Sequence, residues 1–198
     1  DGWWQAETAA DALVRAARET PDRILLIDGD TSLTAAALHA QAFRLAQAML
    51  ARFAPGSAIS FMLPNWHEAA IIYMGATLAG MVANPILPSL RDHDLRFILA
   101  DLNSAMIFIP ASFRGHDYAA MLARVTPALD SPPAVVVLRG EAGPHIAFAD
   151  LLAEVADAPL PTVDPDDVRM VMYTSGTTGR PKGVLHSHNS INALIRQI

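Results

Sequence analysis

The chain contains no cysteine. Disulfides, thiolate metal centres and a cysteine nucleophile are therefore excluded, and a cytoplasmic setting fits. Lysine is nearly absent as well. Lys182 is the only one, and every other fixed positive side chain is arginine. No basic run interrupts a chain of formal net charge −6, which argues against a nucleic-acid partner. Charged residues make up only 17% and apolar residues 52%, so 198 residues can bury a sizeable core. The opening Asp1-Gly2-Trp3-Trp4-Gln5 lacks a basic segment followed by an apolar one, so no signal peptide is expected. It also lacks an initiator Met, so preceding residues are expected.

Charge is missing altogether from residues 69–90. A membrane-spanning helix needs about 20 apolar residues in one unbroken helix. Asn84-Pro85 and Pro88 break this run, so no span is expected. The run reads as a buried helix over 66–79, a turn at Gly80, and a short buried strand over 81–83.

What remains alternates between helix and strand periods. Residues 8–19 place Ala9, Leu13, Ala16 and Ala17 at helical spacing, and Pro21 ends the pattern. A strand over 24–27 runs into the turn Asp28-Gly29-Asp30. Thr34 is placed to cap a helix reaching Arg52, with Leu38, Leu45 and Met49 on one face. Further strands are predicted over 58–63, 105–109, 134–138 and 168–173. Further helices are predicted over 91–100, 118–125 and 148–155, and from Asn189 onwards. Residues 159–167 are rich in proline and aspartate and read as an internal connector. The alternation predicts an α/β fold, a mostly parallel sheet flanked by helices. The last helix has no stop signal before Ile198, so the chain is expected to be part of a longer protein.

One run stands out: Tyr173-Thr174-Ser175-Gly176-Thr177-Thr178-Gly179-Arg180-Pro181-Lys182-Gly183-Val184. Small residues expose backbone N–H groups, hydroxyls add donors, and the single lysine adds a point charge. Together they suit a polyanion. The spacing matches neither the Walker A loop nor the dinucleotide fingerprint. Its composition predicts the most mobile internal segment of the unliganded chain.

The run from Thr174 to Lys182 resembles the phosphate loop of the adenylate-forming superfamily, which includes acyl-CoA synthetases, adenylation domains and luciferases. Asp28-Gly29 with Leu33-Thr34, Leu63-Pro64-Asn65, Asn84-Pro85 and residues 95–99 are similar to that family too. Residues 1–198 then correspond to the N-terminal portion of its large AMP-binding domain. Trp3-Trp4 and residues 84–99 look most like ligases for medium-chain, alicyclic (cyclohexanecarboxylate-like) or aromatic acids.

The resemblance implies a two-step reaction. A carboxylate and ATP give an acyl-adenylate and pyrophosphate, and CoA then displaces AMP. It assigns Thr174, Ser175, Gly176, Thr177, Thr178, Gly179 and Lys182 to the ATP phosphates. It places the Mg²⁺ ligands, adenine and ribose contacts, acyl pocket and catalytic lysine downstream, so no residue here is assigned as catalytic and none as a metal ligand. Two other readings stay open: an adenylation domain that loads a carrier protein, and a non-catalytic truncated module. His186 and His188 read as structural rather than as a metal pair. Asp164, Asp166 and Asp167 read as turn residues. Trp66 and Tyr73 read as core.

Overall fold

The computed structural model describes residues 7–174 and 180–195. Helix α1 (Ala9–Glu19) begins at a capping box. The Asp11 N–H donates to Thr8 Oγ1 at 3.1 Å, and the Thr8 N–H donates back to the Asp11 carboxylate at 2.8 Å. Strands β1 (Ile24–Asp28) and β2 (Thr31–Thr34) form the expected hairpin, turned at Gly29 with φ +58°. Thr34 then caps α2 (Ala35–Leu50) by accepting from the Ala37 N–H.

The chain next alternates β3 (Ala58–Phe61), α3 (His67–Leu78), β4 (Val82–Pro85), α4 (Asp92–Asp101) and β5 (Met106–Pro110). A small hairpin, β6 (Ser112–Phe113) and β7 (His116–Asp117), precedes α5 (Tyr118–Val125). Then come β8 (Ala134–Leu138), β9 (Ile146–Ala147), α6 (Phe148–Ala153), β10 (Val168–Thr174), β11 (Lys182–Ser187) and α7 (His188–Ile195).

Seven strands form one sheet in the order β11-β10-β4-β3-β5-β8-β9. All neighbours are parallel except β10 and β11. The architecture is therefore α/β with a mostly parallel sheet, as the alternation predicted.

Each face of the sheet has its own core. On β5, Met106 and Phe108 join the cluster beneath α1, α2, α3 and α6, while Ile107 and Ile109 join the cluster beneath α4 and α5. The period of two thus fills both layers from one strand. Helix α3 approaches α2 closely at Gly75, where a Cβ would meet the Ala42 carbonyl oxygen at 3.1 Å. Nearly all of α3 is apolar because it is buried. Among the described residues, no helix is long and apolar enough to cross a membrane.

The segment that leads into the connector is held in place. Buried Gln47 accepts from the Ala158 N–H at 2.6 Å and donates to the Ala158 carbonyl at 2.8 Å. Arg52 pairs with Glu154 through two bonds of 2.5 Å. The three aspartates behave as turn residues. Asp164 accepts from the Asp166 N–H, Asp166 accepts from Asn189, and Asp167 accepts from Arg169.

Candidate functional site

Strand β3 is followed by β4 on one side and by β5 on the other. The chain crosses from β3 to β4 on one side, and the next crossover, from β4, returns past β3 to β5 on the other. In open parallel sheets, ligands bind at the carboxyl edge beside such a switch. A cleft of about 850 Å³ lies there. Phe61 and Leu63 come from the end of β3, Pro85 and Ile86 from the end of β4, and Met172, Tyr173 and Thr174 from β10. The β6–β7 hairpin contributes Phe113 and Arg114, and β11 contributes Val184 and His186.

The walls are mainly apolar, with two guanidinium groups near the rim. Arg91 donates to the carbonyls of Pro88 and Leu90. Arg114 stacks over the Phe113 ring at 5.3 Å. Tyr118 donates to the Pro88 carbonyl at 2.9 Å, and burial raises its pKa against the opposing pull of Arg91 and Arg114.

The expected phosphate loop leaves this edge. Thr174 ends β10, Lys182 starts β11, and both are exposed. Their Cα atoms are paired across the ladder. The structure thus brings the two outer members of the assigned set together. Ser175, Gly176, Thr177, Thr178 and Gly179 lie outside the described residues, as does the expected mobility of that segment. Trp3 and Trp4 lie outside them too.

The stem is an antiparallel hairpin that continues to His186 opposite Met170. The sequence reading carried the loop directly into a helix, so β11 is a correction. Gly183 and the exposed pair Val184-Leu185 do not read as a half-buried strand. They form one because β10 supplies the backbone partners.

The two histidines beyond the loop part company. His186 lines the cleft, whereas His188 begins α7 and is 1% exposed. Burial, helped by the Arg169 charge, lowers the His188 pKa to about 4. Its Nε2 has no hydrogen-bond partner among the described residues. Among the described residues, neither histidine belongs to a cluster of three or more potential metal ligands.

Asp28, His67 and Glu68 do present ligand atoms within 4.8 Å of one another. A cation is already there. The Arg139 guanidinium donates to both Glu68 oxygens at 2.7 Å and to Asp28 at 2.5 Å. It also stacks 4.0 Å over Trp66, whose ring meets Phe113 edge-on at 6.0 Å. Arg139, followed by His67, holds the Asp28 carboxyl far below its usual range. Trp66 is therefore part of an ion-pair cluster as well as of the core. No sequence signal joins these residues, which are up to 111 positions apart.

Residues 13–198 match the family described as AMP-binding enzyme. The chain belongs to that family. A medium-chain fatty-acid–CoA ligase of Escherichia coli is 34% identical, covering 97% of this chain and 35% of that protein. A 3-hydroxybenzoate–CoA ligase of an Aromatoleum strain is 31% identical, covering 94% and 35%. Among solved structures, an apo structure of MbtA from Mycobacterium smegmatis superposes with a TM-score of 0.84 at 29% identity, covering 96% of this chain and 35% of that one. The chain spans about a third of the length of the curated relatives it matches. The AMP-binding family match agrees with the superfamily resemblance carried by the loop, and the structural match agrees with the α/β expectation.

Proposed function

We propose that this chain is the phosphate-binding N-terminal portion of an ATP-dependent carboxylate–CoA ligase. The observation that carries the reading is the β10–β11 stem. It sets Thr174 opposite Lys182 at the carboxyl edge of the sheet, beside a large apolar cleft. In this reading Thr174, Ser175, Gly176, Thr177, Thr178, Gly179 and Lys182 hold the β- and γ-phosphates of ATP. A carboxylate oxygen attacks the α-phosphorus, the bond to the bridging oxygen breaks, and pyrophosphate leaves with the electron pair. Fixed donors and the Lys182 charge stabilise that departing charge. The CoA sulfur then forms the thioester, and AMP leaves.

Mg²⁺ accompanies ATP in this proposal. No carboxylate lines the cleft among the described residues, so these residues offer no hard-oxygen set for the ion. No step is assigned to it here. A cytoplasmic location belongs to the same proposal.

The acid is proposed to be apolar: medium-chain, alicyclic or aromatic. The two ligases above act on acids of such kinds by their names, and each buried methylene contributes about 0.8 kcal/mol in a fitted apolar pocket. The test is CoA-dependent AMP formation by the full-length protein with hexanoate, cyclohexanecarboxylate, benzoate, acetate and amino acids. An apolar acid is expected to give the highest kcat/KM. Preference for an amino acid, or a requirement for a carrier protein in place of CoA, would favour the adenylation-domain reading.

A further inference from the structure

Tyr173 is the residue immediately before Thr174, and it stands directly opposite Gly183 in the β10–β11 ladder. A Cβ on Gly183 would meet Tyr173 Cζ at 3.3 Å and Cε1 at 3.4 Å. The tyrosine ring therefore lies against both strands of the stem. Its other side meets Phe97 of α4 edge-on, with ring centres 6.4 Å apart. Its hydroxyl donates to Asp101 Oδ2 at 2.6 Å, a short bond to a charged acceptor. Burial first, then Asp101, raises the tyrosine pKa. The hydroxyl thus keeps its proton, and Tyr173 is a donor and not a base.

Asp101 is the unexpected half of the pair. It is the last residue of α4, and it is exposed. A carboxylate there faces the negative end of the helix dipole, a position that favours cations. Helix stability gives no reason for an aspartate at that point. Among the described residues, the only hydrogen-bond partner of its carboxylate is Tyr173.

We infer that Tyr173 and Asp101 form a latch that ties the stem to α4 and so fixes the positions of Thr174 and Lys182 at the cleft edge. Both are positioning residues, since neither is assigned a contact with phosphate. The kinetic side of this inference rests on the proposed ATP-dependent reaction. The mechanical side does not.

The test compares the full-length protein with Tyr173→Phe, Asp101→Ala and the double variant. Amide exchange is followed in peptides covering 168–174 and 182–187, with β5 and β8 as internal references. KM for ATP and kcat are measured by acid-dependent ATP–pyrophosphate exchange. Each single variant is expected to speed stem exchange about fivefold and to raise KM for ATP about fivefold, the size of one lost hydrogen bond. The double variant is expected to be no worse than either single one, because the two residues act through one bond. Asp101→Ala is expected to leave the melting temperature unchanged or raised, since it removes an unfavourable helix-end charge. A purely structural role predicts a lower one. Unchanged stem exchange, or equal acceleration across the whole sheet, overturns the latch. Faster stem exchange with unaltered KM in an active enzyme overturns the positioning role. If wild-type protein exchanges pyrophosphate with no acid, the functional reading fails, and the amide data alone decide the latch.

Discussion

Lys182 stands directly across from Thr174, where strands β10 and β11 part. The ladder sets the distance between these two backbones, so the only lysine in the chain has a fixed root beside a hydroxyl. A flexible stem carrying a compact charge can meet a phosphate from several directions. Arginine's planar fork cannot follow in the same way. Lys182→Arg in the full-length protein is therefore expected to retain only about a tenth of the rate of acid-dependent ATP–pyrophosphate exchange, a loss near 1.4 kcal/mol. Full activity in that variant would show that only net charge matters at this position.

Arg139 makes a different kind of prediction, one about stability. Its removal leaves Glu68, whose side chain is 10% exposed, without its bidentate partner. A fully buried pair would cost more, but the Arg139 side chain is 35% exposed and solvent softens the loss. Arg139→Ala is expected to cost about 2 kcal/mol, or a drop of about 4–8 °C in melting temperature. Arg139→Lys is expected to recover less than half of that, because it loses both the fork and the stack on Trp66. A melt within 1–2 °C of wild type, about the shift of a neutral surface change, would contradict the assigned role.

Local rules carried most of the fold in the sequence. Thr34 announces a helix start by a capping chemistry that needs no distant partner. The 118–125 helix appears at the expected residues because its apolar positions repeat at helical spacing, and the 134–138 strand because it is a short unbroken apolar run. Strands β6, β7 and β9 have two residues each, too few to show any period. Strand β11 stayed hidden because its exposed face and Gly183 look like loop. At the site, Thr174 and Lys182 were legible from a contiguous motif. The cleft residues Phe61, Arg91, Phe113 and Arg114 were not, because five separate segments converge there only after the sheet has formed. Asp101 and Arg139 were illegible for the same reason, their partners lying tens of positions away.

His188 gives the chain a pH-sensitive point. Its pKa is lowered to about 4 in the fold against 6.5 for a free histidine. Between these values the unfolded chain binds the proton and the folded chain does not. Stability from keeping His188 neutral is therefore complete above about pH 6.5 and is lost as pH falls towards 4. The expected slope is roughly 1 kcal/mol per pH unit inside that window. Melting temperatures from pH 7 to pH 4.5 measure it. His188→Gln is expected to flatten the profile, and an equally steep profile in that variant would place the effect elsewhere.

The 198-residue chain alone is expected to release no pyrophosphate above background from ATP, Mg²⁺ and a panel of acids. It spans about a third of its curated relatives, and no carboxylate lines its cleft among the described residues. A nucleotide held only at its phosphates leaves most of its surface in water. Robust turnover by the pure chain would show that the acid and adenine contacts are already here.

The most direct test separates the two half-reactions in the full-length protein. Formation of acyl-adenylate is followed by pyrophosphate release, and thioester formation by adding CoA to purified acyl-adenylate. Lys182→Ala is expected to slow the first about 100-fold, the scale of removing one preorganised charge-stabilising donor, and the second by less than about threefold. Equal losses in both steps, or an unaltered first step, would contradict the assignment of Lys182 and its loop to the phosphates of ATP.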